Sequence, residues 1–304
     1  MDIVKPLVVS EKLSILRSLY KRSVLTQQDQ LYYYQNLEKG FEGERRFDQL
    51  IRKLPMDGLL LSDLNYETNH SNVQIDKILI TQDTIDLFEI KNLEGDYYYE
   101  EERWLSSTKT EITNPLHQLR RGESLFKRII PHIDTSFRFN AHLIFVNPEF
   151  HLYHSPHEPQ IIYPTQLNRY LNTLQMRHSK INNKQRKLAN RLRSLCIKAP
   201  LKNVPEYSYE KLKKGIICPV CDSFLHSLVG RKLECSHCEH KEDVTSAVMR
   251  NVEEFKLLFP NLKITTGVIH EWCNIDASRK TILRILSKHY NRVGNSNGTY
   301  YVHH

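Results

Sequence analysis

Three side chains in the first third of the chain are spaced for metal-assisted hydrolysis. The run Val73-Gln-Ile-Asp-Lys-Ile-Leu-Ile80 and the run Ile85-Asp-Leu-Phe-Glu-Ile-Lys91 each read as an Ile/Leu-rich strand, with the polar stretch Thr81–Thr84 between them. If the turn is centred between Gln82 and Asp83, Asp76 falls opposite Glu89, with Cβ atoms roughly 4.5–5.5 Å apart. Two carboxylates at that separation can share a hard divalent cation, Mg²⁺ or Mn²⁺. Glu89 and Lys91 are two apart on one strand and share a face. An ammonium beside the cation can orient a water or help to deprotonate it. A second set of ligands lies far downstream. Cys218-Pro-Val-Cys221 and Cys235-Ser-His-Cys238 form two CxxC pairs separated by 13 residues. Four thiolates at this spacing complete a closed tetrahedral Zn²⁺ site with bonds of about 2.3 Å.

The spacing Asp76-x12-Glu89-x-Lys91 resembles the active site of the PD-(D/E)xK nuclease superfamily, although Gln74-Ile75 stands where that motif carries its proline. Three flanking segments sharpen the likeness: Gly40-Phe-Glu-Gly-Glu44 upstream, Glu89-Ile-Lys-Asn-Leu-Glu-Gly95, and Asn114-Pro-Leu-His-Gln118 downstream. In this order the motifs resemble the nuclease-related domain, NERD, over roughly residues 38–150. The resemblance implies that Asp76 and Glu89 are Mg²⁺ ligands and that Lys91 positions the attacking water. It implies that Glu44 is the helical acidic residue completing the metal site. It implies that Gln118 is a polar residue on the helix after the sheet, in a region that lines the site.

The positioning elements follow from hydrophobic period and stop signals. Ser10 caps a helix with apolar residues at 13, 16, 19 and 20. A second helix is expected from about Gln27 to Lys39, stopped by Gly40, and a third from Glu42 to Lys53. Leu59 to Leu64 is a short strand. The Asp76 and Glu89 strands follow, then Tyr97–Tyr99 and Arg103-Trp104 as further strand at the sheet edge. Asn114 to Ile130 is helical, and Ala141–Val146 is a last apolar strand. Helix, three or more strands, helix, strand gives an α/β core of restriction-endonuclease type. His142, His151, His154 and His157 match no tetrahedral ligand spacing, and 151–160 reads as a loop.

Formal charge is +8 and unevenly placed. Residues 1–100 hold 12 basic and 17 acidic side chains, whereas 176–217 hold 12 basic and 2 acidic. A basic second half fits a polyanionic partner, expected to be nucleic acid and taken as DNA. No apolar run reaches 18 residues and no signal peptide is apparent, so no membrane partner is expected. With four of six cysteines in metal spacing and Cys196 and Cys273 isolated and reduced, the expected setting is the cytoplasm.

Five segments are expected. They are a helical N-terminal extension (1–39), the nuclease-like domain (40–160), a basic helical linker (161–205), a zinc ribbon (206–245) and a small winged-helix-like domain (246–304). In the ribbon, 224–228 and 232–234 form a small hairpin, and His237 or His240 is an alternative to one cysteine. In the last segment Thr265–Cys273 and Arg279–Tyr290 are helices. Ile282, Leu283, Ile285 and Leu286 face inward, and Lys280, Arg284 and Lys288 line one outward face for nucleic acid. Asn297-Gly298 turns into a strand over Thr299–Val302. The expected function is a Mg²⁺- or Mn²⁺-dependent nuclease acting on DNA phosphodiesters, with a structural Zn²⁺. The alternative is a nucleic-acid-binding or regulatory protein that keeps the nuclease fold as a scaffold. A homo-oligomer is left open.

Overall fold

Continuous apolar runs build a mixed six-stranded sheet in the order β1 (Asp2–Lys5), β2 (Leu59–Thr68), β3 (Ser71–Ile80), β4 (Thr84–Lys91), β8 (Arg138–Phe145), β10 (Ile161–Ile162). The structure is a computed structural model that describes residues 1–68, 71–129, 137–225, 227–295 and 298–302. β2, β3 and β4 form an antiparallel meander, while β1, β8 and β10 are added in parallel. A parallel addition requires a crossover, and the chain supplies α3 (Pro115–Ile129) between β4 and β8. The sheet is buried on both sides, which explains why its central strands carry apolar residues on both faces. One face packs on α2 (Gln28–Arg52) and α4 (Pro164–Gln175) through Phe47, Ile51, Leu167 and Leu171. The other packs on α3 and α5 (Asn183–Ser194) through Leu119, Phe126, Leu188 and Leu192. The result is the restriction-endonuclease-like α/β core.

Three expectations are corrected here. α2 is one helix of 25 residues and runs through Gly40. A helical glycine costs only about 1 kcal/mol, less than the burial of Phe47 and Ile51 returns. Tyr97–Tyr99 and Arg103-Trp104 do not extend the main sheet. They lie in β5 (Gly95–Glu100) and β6 (Arg103–Ser106), which join β7 (Glu111–Ile112) and β9 (Phe150–Tyr153) in a separate four-stranded sheet. That sheet turns Trp104, Phe150 and Leu152 into the α3 side of the core. The segment read as a basic linker, 161–205, supplies β10, α4 and α5 to the same unit.

The chain divides into two compact units, Met1–Val9 with Gln35–Pro200, and Ser10–Tyr34 with Leu201–His304. The second unit contains α1 (Glu11–Lys21), capped by Ser10 as expected. It also contains two small sheets, β11 (Ile216–Ile217) with β12 (Phe224–Leu225), and β13 (Ser227–Val229) with β14 (Lys232–Glu234) and β15 (Lys241–Asp243). Then come α6 (Val244–Leu258), α7 (Thr266–Cys273), α8 (Arg279–His289) and the hairpin β16 (Asn291–Val293) and β17 (Tyr300–Val302). An isolated bridge joins Ile264, before α7, to Tyr301. Helix, bridge strand, two helices and a hairpin that returns to the bridge is the winged-helix order. Asn297 of the expected turn lies outside the described residues.

Arg22 fastens α1 into this unit. It is 1 % exposed and donates to both carboxylate oxygens of Glu254, to Asn251 Oδ1 and to the carbonyls of Lys213 and Gly215. Its guanidinium lies 3.8 Å from the Trp272 ring centroid. A buried charge so fully paired is costly to disrupt, by about 3–5 kcal/mol when one partner is removed.

Candidate active site and metal centre

The β3–β4 hairpin has the expected register. Its ladder pairs Ile80 with Ile85 through Lys77 with Phe88, and Thr81 N–H donates to the Thr84 carbonyl across the turn at 2.9 Å. The next step along the ladder is Asp76 and Glu89, and there the pairing stops. Asp76 Oδ2 accepts the Ile90 N–H at 2.8 Å, so a carboxylate fills the place of a backbone acceptor. Glu89 Oε1 and Lys91 Nζ meet at 2.8 Å on the same face of β4.

The opening at Asp76 has a cause in β2 as well. Ser62 pairs with Lys77 and Leu64 with Ile75, which sets Asp63 across from Asp76. Asp63 takes a left-handed backbone, φ 49°. Side chains entering the α3 face are Leu59 and Leu61, then Leu64 and Tyr66, on β2; on β3 they are Val73 and Ile75, then Ile78 and Ile80. The two-residue alternation slips by one on both strands at this pair, as at a bulge. Both aspartates are thereby turned away from the apolar faces.

Glu44 reaches the same place from α2. Gly43 permits this, because a Cβ there would lie 2.6 Å from the Asn92 side chain just after β4. Asn92 Nδ2 also donates to the Lys39 carbonyl at 2.8 Å and holds the helix on the strand end. Burial pushes the Glu44 carboxyl up to about 7, with Asp63 and Glu89 adding to the rise and Lys77 and Lys91 opposing it. Burial likewise raises Asp76 well above the usual carboxylate range, helped by Glu89 and Glu44 and opposed by Lys91 and the Ile90 N–H. The site therefore gathers carboxylates that their protein surroundings leave under-neutralised, a donor set that suits a hard divalent cation. Among the described residues, a set of three or more such ligands with atoms within 4.8 Å of one another occurs only at the four cysteines. Glu44, Asp76 and Glu89 are not drawn that close.

The raised acids carry a pH consequence for the metal-free chain. A carboxyl whose folded value lies near 7 is protonated in both states below about pH 4.5 and penalises only the folded state as pH rises to 7. Glu44→Gln removes that penalty. With chelator present, the variant should unfold on the order of 5 °C above wild type at pH 8 and level with it at pH 4.5. An equal difference at both pH values would contradict the assignment of burial to Glu44.

Gln118 is exposed in the first turn of α3, and no hydrogen bond joins it to the carboxylates. Asn114 explains its neighbouring motif: Oδ1 accepts the Leu116 N–H at 2.9 Å and starts the helix. Two features escaped the sequence reading. Asp63 is one. The other is Lys77, fully buried, whose ammonium meets Asp48 Oδ1 and Ser62 Oγ, each at 2.5 Å, while Arg52 meets Asp48 Oδ2 at 2.6 Å. An aspartate and a lysine inside otherwise apolar strand runs were the only signals.

The four cysteines come together. Cys218 and Cys238 sulfurs are 3.7 Å apart, and those of Cys221 and Cys235 are 3.4 Å apart. A tetrahedron with bonds of about 2.3 Å has edges of about 3.8 Å. Each CxxC sits on a matching turn: Asp222 N–H donates to the Cys218 carbonyl, Glu239 N–H to that of Cys235, and both donors have φ near 60°. The cluster is compatible with structural zinc, and His237 and His240 are not part of it. The expected hairpin is divided: Phe224-Leu225 pairs with Ile216-Ile217, and only 227–229 pairs with 232–234.

On α8, Lys280, Arg284 and Lys288 are exposed on one side, as expected. Leu283 is not inward; it is 49 % exposed among them, and Ile282, Ile285 and Leu286 make the buried side.

The helix–meander–helix–strand core and its Asp, Glu and Lys at a parted hairpin define a restriction-endonuclease-like unit. Residues 39–147 match the family model of the nuclease-related domain, NERD. A second family model, a domain of unknown function (DUF6671), matches residues 146–258. No curated protein and no solved structure matches the chain. Among the described residues no helix is long and apolar enough to cross a membrane.

Proposed function

We propose that the protein is a divalent-metal-dependent nuclease that hydrolyses phosphodiester bonds in DNA. One observation carries this reading: Asp76, Glu89, Lys91 and Glu44 converge where the β3–β4 ladder stops, and burial together with the neighbouring carboxylates raises two of the acids, Asp76 and Glu44, above the usual carboxylate range. Asp76 and Glu89 would hold Mg²⁺ or Mn²⁺, with Glu44 completing the set. When bound, such an ion polarises a phosphoryl oxygen and lowers the pKa of a water. Lys91, held by Glu89, orients that water at its ammonium. Gln118, exposed on the first turn of α3, is assigned to the substrate side. The four cysteines would bind one structural Zn²⁺, and Lys280, Arg284 and Lys288 would contact DNA phosphates. The setting proposed is the cytoplasm, supported by four of the six cysteines standing as a metal-ligand cluster.

Purified full-length protein should nick supercoiled plasmid in Mg²⁺ or Mn²⁺ and stop when EDTA is added. Binding of the plasmid with no cleavage in either metal would replace this reading with the scaffold alternative.

A further inference from the structure

In the nuclease-related unit α5 carries five basic side chains and no acidic one, and the proposed metal site uses none of them. Its inner side buries Gln185, Leu188, Ala189 and Leu192 against the sheet. Its outer side carries Lys184, Arg186, Lys187, Arg191 and Arg193, all exposed, and the helix contains no acidic residue. Arg186 pairs with Asp2 at 2.8 Å, and Lys184 lies 5.2 Å from the Phe137 ring centroid. Lys187, Arg191 and Arg193 have no side-chain hydrogen bond or ion pair among the described residues.

Helix stability does not account for this pattern. Cations in the last turn suit the helix dipole, but Lys184, Arg186 and Lys187 sit in the first turns, where the dipole opposes them. A solvated helix gains from Glu and Lys four apart, and α5 has no such pair. Its charge is better explained by a partner.

The attachment of α5 says which partner. Its C-terminal end is fastened to β2 beside the acid cluster: Tyr66 OH donates to the Leu192 carbonyl at 3.2 Å, and Ile197 N–H donates to the Asn65 carbonyl at 2.8 Å. Asn65 is two residues from Asp63, which faces Asp76. A basic helix of about 18 Å thus ends next to the carboxylates. That length is about half a turn of duplex DNA.

We infer that α5 is a nucleic-acid backbone grip of the nuclease unit, with Lys187, Arg191 and Arg193 on the phosphates of a duplex lying at the acid cluster. This rests on the proposed nuclease reading but is tested apart from cleavage. Binding of a 30-base-pair duplex is measured in EDTA, over a series of salt concentrations, for full-length wild type and K187E/R191E/R193E. The variant should bind at least tenfold more weakly, and its slope of log affinity against log salt should flatten by roughly 0.9 for each phosphate no longer neutralised. Should the charge-reversed protein unfold early, K187Q/R191Q/R193Q gives the same test with a smaller loss of affinity. An unchanged affinity and slope in a folded variant would overturn the inference and leave the nuclease reading intact. Plasmid binding without cleavage would overturn the nuclease reading and leave this one standing. Wild type that binds vesicles rich in anionic phospholipid but no duplex would also overturn it.

Discussion

Glu89→Ala should remove metal-dependent cleavage while leaving the nuclease unit folded. The side chain is only partly exposed, and its neighbour is the Lys91 ammonium. Its removal takes away one proposed metal ligand and the carboxylate that aims Lys91. A metal ion and a positioned water contribute several kcal/mol to the barrier, and each 1.4 kcal/mol is a factor of ten, so a loss of roughly 10³-fold is expected. Folding should hold, because β4 is anchored by Ile85, Leu87, Phe88 and Ile90. Asp76→Asn and Lys91→Ala should show the same loss by separate routes, one through the ligand and one through the water. Plasmid nicking in Mg²⁺ and Mn²⁺, with circular dichroism alongside, measures both parts. A folded Glu89→Ala protein that cleaves at the wild-type rate would falsify the site.

Cys235→Ser should release a metal and collapse one module. The ribbon strands are two or three residues long and contribute few buried apolar side chains, chiefly Ile216, Ile217, Leu225 and Leu233. Small zinc modules draw on the order of 10–16 kcal/mol of apparent binding free energy from the ion, far more than those side chains supply. Wild type should carry one zinc per chain by elemental analysis, and the variant close to none. Hydrogen exchange should become fast from about residue 216 to 243. It should stay slow in α6 to α8, where Phe255, Trp272, Ile282 and Leu286 form their own core. Zinc-free wild type from a metal-replete preparation would end this account, as would slow exchange through the ribbon of the variant.

The residues legible in the sequence are those fixed by local spacing. The hairpin register depends on one turn centre, so Asp76 and Glu89 can be placed from the sequence. The cysteine set depends only on two short turns. What requires distant partners is hidden. Asp63 enters the site because β2 pairs with β3 in a particular register, and Lys77 finds Asp48 only after α2 packs on the sheet. The small second sheet reads as an edge of the first because β9, which pairs with β5, comes some fifty residues later. Leu283 cannot join its neighbours inside, because four apolar residues within five do not all face one side of a helix. α6 escaped notice although its signals are local: Asp243 accepts from Thr245 and Ser246 N–H, and Val244, Ala247, Val248, Val252 and Phe255 keep the helical period.

The pairing of Arg22 with Glu254 sets a schedule for the chain as it is made. The two residues are 232 positions apart. At ordinary rates of synthesis roughly 10–50 s separate their appearance. Through that interval Leu13, Leu16 and Leu19 of α1 have emerged, but the helix α6 that will cover them has not. Residues 35–200 are complete before then and can close their sheet. The residues of the nuclease-related unit are thus all synthesised while Leu13, Leu16 and Leu19 still lack the helix that covers them, and the earliest helix of the chain is among the last to find its place.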